Sequence, residues 1–316
     1  MEPSRAWNLV LLLAFIPGAA SWALIVLIYP EGLGSHASNY TAAAAAWLAG
    51  GNPWTVGPPT AVYAGPPPML LPFVPFIPLS VDVIRVAWFV LDVVLAIWVF
   101  RRLGLGPHWI AFPPMFAAIV LGHIEVVVLA LLVLRGPLAG LAAVIKPYAV
   151  LPLLAERNWR ALAVGAVVLI ATAPFLPWLR FLQEAPLINA TLARQDVGDS
   201  TFGDPVLMVI GVIALAALGL RRALWLAVPV LWPYAQPIYK LVSIPVLSPI
   251  LAIAWALPFP GATLVGVVLF AVLVRVDDIR PLPGWLRPGI GDVATWPRVA
   301  TDRPRAAAAA TIQVPA

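Results

Sequence analysis

The sequence has no cysteine, three histidines and four methionines in 316 residues, and only 10% of it is charged. Without cysteine there is no disulfide framework, no thiolate metal site and no cysteine nucleophile. Three histidines with no close third ligand fall short of the usual ligand count of a zinc site. So little charge excludes an ordinary soluble globule, in which about 25% of residues are charged. The formal net charge of +5 comes from 19 basic and 14 acidic residues. No basic run is interleaved with aromatics, so this balance reports membrane topology, and no nucleic-acid partner is expected.

What is abundant points to lipid as the solvent. The chain is 62% hydrophobic, with 14 Trp and 35 Pro. Indole rings anchor at bilayer interfaces, and the prolines imply spans that are bounded or broken by kinks. The expected fold class is all-α, a polytopic membrane protein with eight to ten crossings.

Arg5 followed by an apolar run and Gly18-Ala19-Ala20-Ser21 imitates a secretory signal, but the run continues to Tyr29. That is about 20 residues, enough to cross the hydrocarbon, so it reads as an uncleaved first helix. A loop from 30 to 68 follows. The next clear helix, about Val83 to Phe100, ends in Arg101-Arg102. The positive-inside rule sets that end in the cytoplasm and the loop outside.

Residues 109 to 134 hold two apolar runs split by Gly122-His123-Ile124-Glu125 and read as a hairpin with an outward tip. Leu138 to Leu154 is interrupted by Lys146-Pro147; with Arg135 and Arg157 both cytoplasmic it reads as a broken or re-entrant pair with Lys146 near its tip, the alternative being one ordinary span that violates the charge rule. Further crossings are expected over 161 to 178, 204 to 220, 223 to 234, 241 to 257 and 262 to 274. Polar outer loops lie at 180 to 203 and 232 to 240. Strict alternation would put the tail outside while its basic balance argues for the cytoplasm, so one crossing within 223 to 274 is left unassigned. The membrane domain is taken as 1 to 275 and the Pro/Arg/Ala-rich stretch 276 to 316 as a disordered tail.

An ionisable side chain in hydrocarbon costs at least a few kcal/mol, so it faces a cavity or a partner. Glu31 and His36 are the titratable groups of the first loop, and either is competent as a general base. Against this stands a role as solvated loop residues. His123 and Glu125 form a pair that orients a ligand, shares a proton or simply caps a broken helix. Lys146 and Lys240 each need an anion, for which a phosphate is the natural choice, or else snorkel to the interface. Asp82 and Arg85 are three apart and can pair on one helix face. Asp92, mid-helix, is expected to bond to a neighbouring helix.

Several of these features occur in a particular order. Tyr40 precedes an Ala-rich helix from Thr41 to Ala49, followed by Gly50-Gly51-Asn52-Pro53-Trp54. Tyr63 leads to Pro66-Pro67-Pro68, Gly122-His123 sits at the hairpin tip, a small-residue helix ends in Lys146-Pro147 before Arg157 and Arg160, and an aromatic segment runs from Trp232 to Tyr239. Over roughly residues 7 to 270 the chain resembles the GT-C superfamily of integral-membrane glycosyltransferases, in particular the bacterial family that uses polyprenyl-phosphate-mannose. In that family an acidic base stands about four positions before the Tyr; here the position holds His36.

The resemblance implies inverting transfer of a mannose-like hexose from a polyprenyl phosphate to a glycan or glycolipid hydroxyl, on the outer face of the plasma membrane. His36 or Glu31 would be the base, Lys146 and Lys240 would hold the donor phosphate, and no metal cofactor would be needed. Tyr40, Trp54, Tyr63, His123, Glu125, Gln236 and Tyr239 would contact substrate. The alternatives are a non-catalytic lipid-binding relic of the same fold and a small-molecule transporter. The transporter would show an internal hydropathy repeat, which is absent here.

Overall fold

The computed structural model describes residues 3–57, 63–195, 199–259 and 261–292. Every regular element among them is a helix. This is the backbone solution open to an apolar chain, because helices satisfy their own N–H and C=O groups.

Two helices are long and apolar enough to cross a membrane. They are the 23-residue stretch Ala6–Ile28 of helix α1 (Pro3–Ile28) and all of α3 (Val81–Leu103). At 1.5 Å per residue each extends about 35 Å, against a hydrocarbon core of about 30 Å. Between them lies α2 (Ser35–Leu48). Helix α3 starts at the cap Ser80 and finishes with Arg101 and Arg102 in its last turn before Gly104. On its first turn Arg85 lies 3.9 Å from Asp82, as the three-residue spacing suggests.

The other apolar runs are cut into shorter pieces. Helices α4 (Pro113–Leu121) and α5 (Glu125–Leu134) are bent by 115° at the expected break, the geometry of a re-entrant turn or of a broken span, and counted as one span they would be the third candidate. Next come α6 (Gly140–Ile145), α7 (Val150–Ala155), α8 (Trp159–Thr172), α9 (Trp178–Gln183) and α10 (Ala185–Gln195). Helices α11 (Pro205–Ala217) and α12 (Leu220–Leu231) precede a 3₁₀ segment, Pro237–Val246, and α13 (Pro249–Ala256) and α14 (Ala262–Ile279) follow. Helix α8 has 14 residues and α11 has 13, short of the roughly 20 a straight crossing needs. Proline accounts for many of the breaks, since it removes a donor and clashes with the preceding turn, and the positive-φ glycines Gly122 and Gly219 make the breaks between α4 and α5 and between α11 and α12.

Small residues let the pieces pack closely. A Cβ added to Gly140 would overlap the Ala161 carbonyl oxygen, so α6 and α8 cross with backbones in contact. Close approach through small residues is how helices associate where lipid leaves no hydrophobic drive. Asn158 caps α8 and also donates to the carbonyls of Arg135 and Gly136, pinning the start of α8 to the end of α5.

Three of the basic residues expected in the cytoplasm, Arg135, Arg221 and Arg222, come together around two carboxylates. Glu156 lies 2.8 Å from Arg221 and 3.8 Å from Arg135, and accepts from Trp225 Nε1 at 3.0 Å. Asp292 lies 2.8 Å from Arg222 and 3.5 Å from Arg221. At another place the two polar loops join: Asn52 donates to Glu184 at 2.6 Å, and Arg180 donates to the Gly51 carbonyl at 2.6 Å.

Order extends beyond the expected boundary at 275. Helix α14 runs to Ile279, Trp7 Nε1 donates to the Trp285 carbonyl at 3.2 Å, and Asp292 is held by the two arginines. The stretch up to Asp292 is therefore tethered to the helices, by its Trp285 carbonyl, by Gly289 against the Trp7 ring and by the Asp292 carboxylate, although the Trp285 side chain itself is 69% exposed. The remainder of the expected disordered tail, 293 to 316, lies outside the described residues.

Candidate active site

Helix α2 begins against the break between α4 and α5. The Gly34 N–H donates to the Val120 carbonyl at 2.8 Å. Gly122 ends α4 at φ 71°, and a Cβ there would press on Gly34 Cα at 3.1 Å and Ala37 Cβ at 3.2 Å. Glycine alone accepts both the left-handed backbone and that proximity. The contact brings the first turn of α2 onto the break, where the chain leaves helical geometry and turns His123 inward.

His36 and His123 then stack, with ring centroids 3.7 Å apart and planes at 30°. Tyr40, one turn beyond His36 on the same face, carries its hydroxyl 3.5 Å from His36 Nδ1. Burial holds the His36 imidazole well below the usual histidine range; His123 and Lys146 push it the same way and Glu125 opposes them. At neutral pH His36 is an uncharged ring able to accept a proton.

Glu125 opens α5 and is fully buried. Lys146 reaches it from the opposite wall. Pro147 excludes Lys146 from helical geometry, so it sits extended at φ −133° and ψ 108°, which ends α6 and directs the chain into a 3₁₀ turn. Lys146 Nζ lies 2.9 Å from Glu125 Oε1, and His123 Nδ1 lies 3.2 Å from Oε2. Glu125 is therefore the counter-ion of the Lys146 ammonium, with the His123 ring nitrogen beside its other oxygen. The same ammonium stands 5.5 Å from the centre of the Tyr239 ring.

These groups line one cavity of about 240 Å³, together with Tyr40, Tyr148, Gln236 and Tyr239. Asn189 and Leu192 of α10 form part of its wall, so the second polar loop closes over the first. Of the residues singled out from sequence, His36, Tyr40, His123, Glu125, Lys146, Gln236 and Tyr239 share this space. Trp54 and Tyr63 stand behind it. Trp54 Nε1 donates to the Gly65 carbonyl at 2.9 Å and the Tyr63 hydroxyl to that of Pro66 at 2.9 Å, and Gly65 and Pro66 face the cavity. They position the wall without lining it.

Several expectations need correction. Glu31 is exposed on the 3₁₀ turn Pro30–Gly32, outside the cavity, because the chain turns inward after it. Lys240 faces a different cavity, with Nζ 3.1 Å from Asp199 Oδ1. The geometry of Pro237–Val246 explains why. In a 3₁₀ helix residues i and i+3 eclipse, so Gln236 and Tyr239 share one face while Pro237 and Lys240 share the next. Lys146 needs no external anion to be tolerated, since Glu125 is its counter-ion. Asp92 is fully buried on α3, but neither of its oxygens has an aligned hydrogen bond to another helix; its electrostatic neighbours are Trp88, one turn back, and Glu125.

Tyr148 and Asn189 were missed. Tyr148 packs between Trp232 and Tyr239, at 5.8 and 4.9 Å, and its place directly after Lys146-Pro147 was the available signal. Asn189 belongs to the second polar outer loop read from sequence, but only the folding of α10 brings it to the cavity. Among the described residues no group of three or more His, Asp or Glu is placed to hold a metal ion.

Comparison of the chain with protein-family models, with curated proteins and with solved structures finds no match.

Proposed function

We propose that this chain is a multi-pass membrane enzyme, with eight to ten crossings made partly from paired short helices. It transfers a mannose-like hexose from a polyprenyl phosphate to a glycan or glycolipid hydroxyl on the outer side of the plasma membrane. The observation that supports this reading is the meeting of His36, His123, Glu125 and Lys146, from separate parts of the chain, in one cavity walled by tyrosines.

In this scheme His36 takes the proton of the acceptor hydroxyl, with Tyr40 steadying its ring. The acceptor oxygen bonds to the anomeric carbon as the bond from that carbon to the phosphate oxygen breaks, and the electron pair leaves with the polyprenyl phosphate. Lys146 has three N–H donors. Glu125 balances its charge, and its donors turn to the negative charge that grows on the leaving phosphate. Groups fixed in advance where charge develops commonly supply the largest catalytic contribution. Glu125 and His123 hold the ammonium in place. Glu31 and Lys240 have no part in this step.

A second reading, a non-catalytic lipid-binding protein of the same fold, draws on the self-compensation of Lys146 by Glu125. The two separate experimentally. Proteoliposomes carrying the protein are given a radiolabelled polyprenyl-phosphate hexose and an acceptor glycolipid. Enzyme activity predicts transfer that is lost in His36→Ala and in the charge-balanced Lys146→Met/Glu125→Gln protein. Donor bound but never consumed favours the second reading, and undiminished transfer by both variants sinks the assignment of these residues.

A further inference from the structure

A second cavity, of about 300 Å³, lies on the other side of the Pro237–Val246 segment. Its walls are mainly apolar: Trp22 of α1, Pro113, Pro114 and Ala117 of α4, and Trp255 of α13. Ser21, Leu257, Pro258 and Phe259 surround it where the chain is exposed. Its inner end is the pair Asp199 and Lys240, only 5% and 2% exposed. The volume is at the lower end of the roughly 300–1,000 Å³ of small-molecule sites, and an apolar cleft with a few convergent polar groups is their usual make-up.

The polar end is not self-sufficient. Asp199 Oδ1 accepts from Lys240 Nζ at 3.1 Å and from Thr263 Oγ1 at 3.2 Å. Asp199 Oδ2 is buried and has no hydrogen-bond partner among the described residues. An ammonium carries three donors, and Lys240 directs one at Asp199. A purely structural ion pair would be expected to satisfy its remaining lone pairs, because a buried carboxylate oxygen left without a donor is costly.

We propose that this cavity binds a single-chain amphiphile ending in a hydroxyl group. The hydroxyl donates to Asp199 Oδ2 and accepts from Lys240, completing both groups at once. The ion pair is already neutral, so an anionic head would meet the free carboxylate oxygen without a compensating charge, and a bare alkane would leave that oxygen unpaired. The chain lies against Trp22, Trp255 and the prolines. Its entrance, between Ser21 and Phe259, opens beside the outward face of α1, where Leu24 and Leu27 are 57% and 78% exposed, so the ligand enters sideways from lipid. This assignment does not rest on the reading of the first cavity, from which the 3₁₀ segment separates it.

Photolabelling of the full-length protein in nanodiscs tests it. The probe is a long-chain alcohol with a mid-chain diazirine and a terminal alkyne, and the competitors are hexadecanol, hexadecyl phosphate and hexadecane. The expected result is label concentrated on peptides containing Trp22 and Trp255, displaced by hexadecanol and roughly threefold to tenfold less well by hexadecane, the ratio that one buried hydrogen bond gives. Asp199→Asn, which leaves Lys240 uncompensated, should reverse the preference in favour of hexadecyl phosphate. Ser21→Trp, at the exposed entrance where folding is not at stake, should abolish labelling. Equal displacement by all three competitors, label spread along the outward faces of α1 and α3, or labelling unchanged in Ser21→Trp would each overturn the proposal.

Discussion

Replacing Lys146 by methionine removes one end of a buried ion pair while keeping much of the side chain's length and apolar stem. Its ammonium lies 2.9 Å from Glu125 Oε1, and the side chains are 13% and 0% exposed. At an effective dielectric of about 20, unit charges about 3 Å apart attract by about 5–6 kcal/mol, part of which offsets the desolvation of both. Deleting one partner strands the other in a dry site, a change that typically costs 3–5 kcal/mol. His123 is the remaining neighbour of Glu125, at 3.2 Å, and it compensates only if protonated. Lys146→Met is therefore expected to lose about 3–5 kcal/mol and to lower the unfolding midpoint by the order of 10 °C. Adding Glu125→Gln removes the stranded charge and should recover most of the loss, with a coupling of at least about 2 kcal/mol. The assay is a denaturant titration of the four proteins of this cycle in detergent micelles, followed by tryptophan fluorescence. A single variant within about 1 kcal/mol of the parent, or a double variant no more stable than the single, would refute the claim that Glu125 is what keeps Lys146 in place.

Other expectations are smaller or differently read. His36 is a half-buried neutral ring in the cavity wall with its pKa lowered, so the unfolded chain binds more protons as the pH falls below the normal histidine value, and stability drops over that window. His36→Gln should flatten this acid slope in titrations at a series of pH values, with His123, Glu125, Lys146 and Tyr40 left in place; an unchanged slope would mean that another group titrates. Gly140→Ala should cost about 1–3 kcal/mol by forcing α6 away from the Ala161 carbonyl, whereas the same change at Gly136, where nothing lies within 4 Å of an added Cβ, should be mild. Asp292→Ala removes the carboxylate partner of Arg222 and the longer of two carboxylate contacts of Arg221, which keeps Glu156; their side chains are 22% and 33% exposed, so the change should cost no more than about 1 kcal/mol while raising hydrogen exchange of 280–292. Fast exchange of that segment in the parent as well would contradict its packing.

Composition by itself pointed to lipid as the solvent, where a backbone pairs its polar groups only as helices or a closed barrel, and the structure is helical with two helices long and apolar enough to cross a membrane. Lys146-Pro147 and Gly122-His123 marked breaks in helices correctly, since proline and glycine act through local sterics that need no tertiary context. The angle of the bend between α4 and α5 and the shortness of α8 and α11 were not legible, because how far a broken run continues depends on what packs against it. Glu31 and His36 looked equivalent as bases and Lys146 and Lys240 as phosphate ligands. The first pair was separated by the docking of α2 on Gly122, and the second by the eclipsed faces of a 3₁₀ segment. Which buried charges answer one another is a matter of distances between residues far apart in the chain. Only the packed helices, by bringing Glu125 to Lys146 and Asp199 to Lys240, decided that.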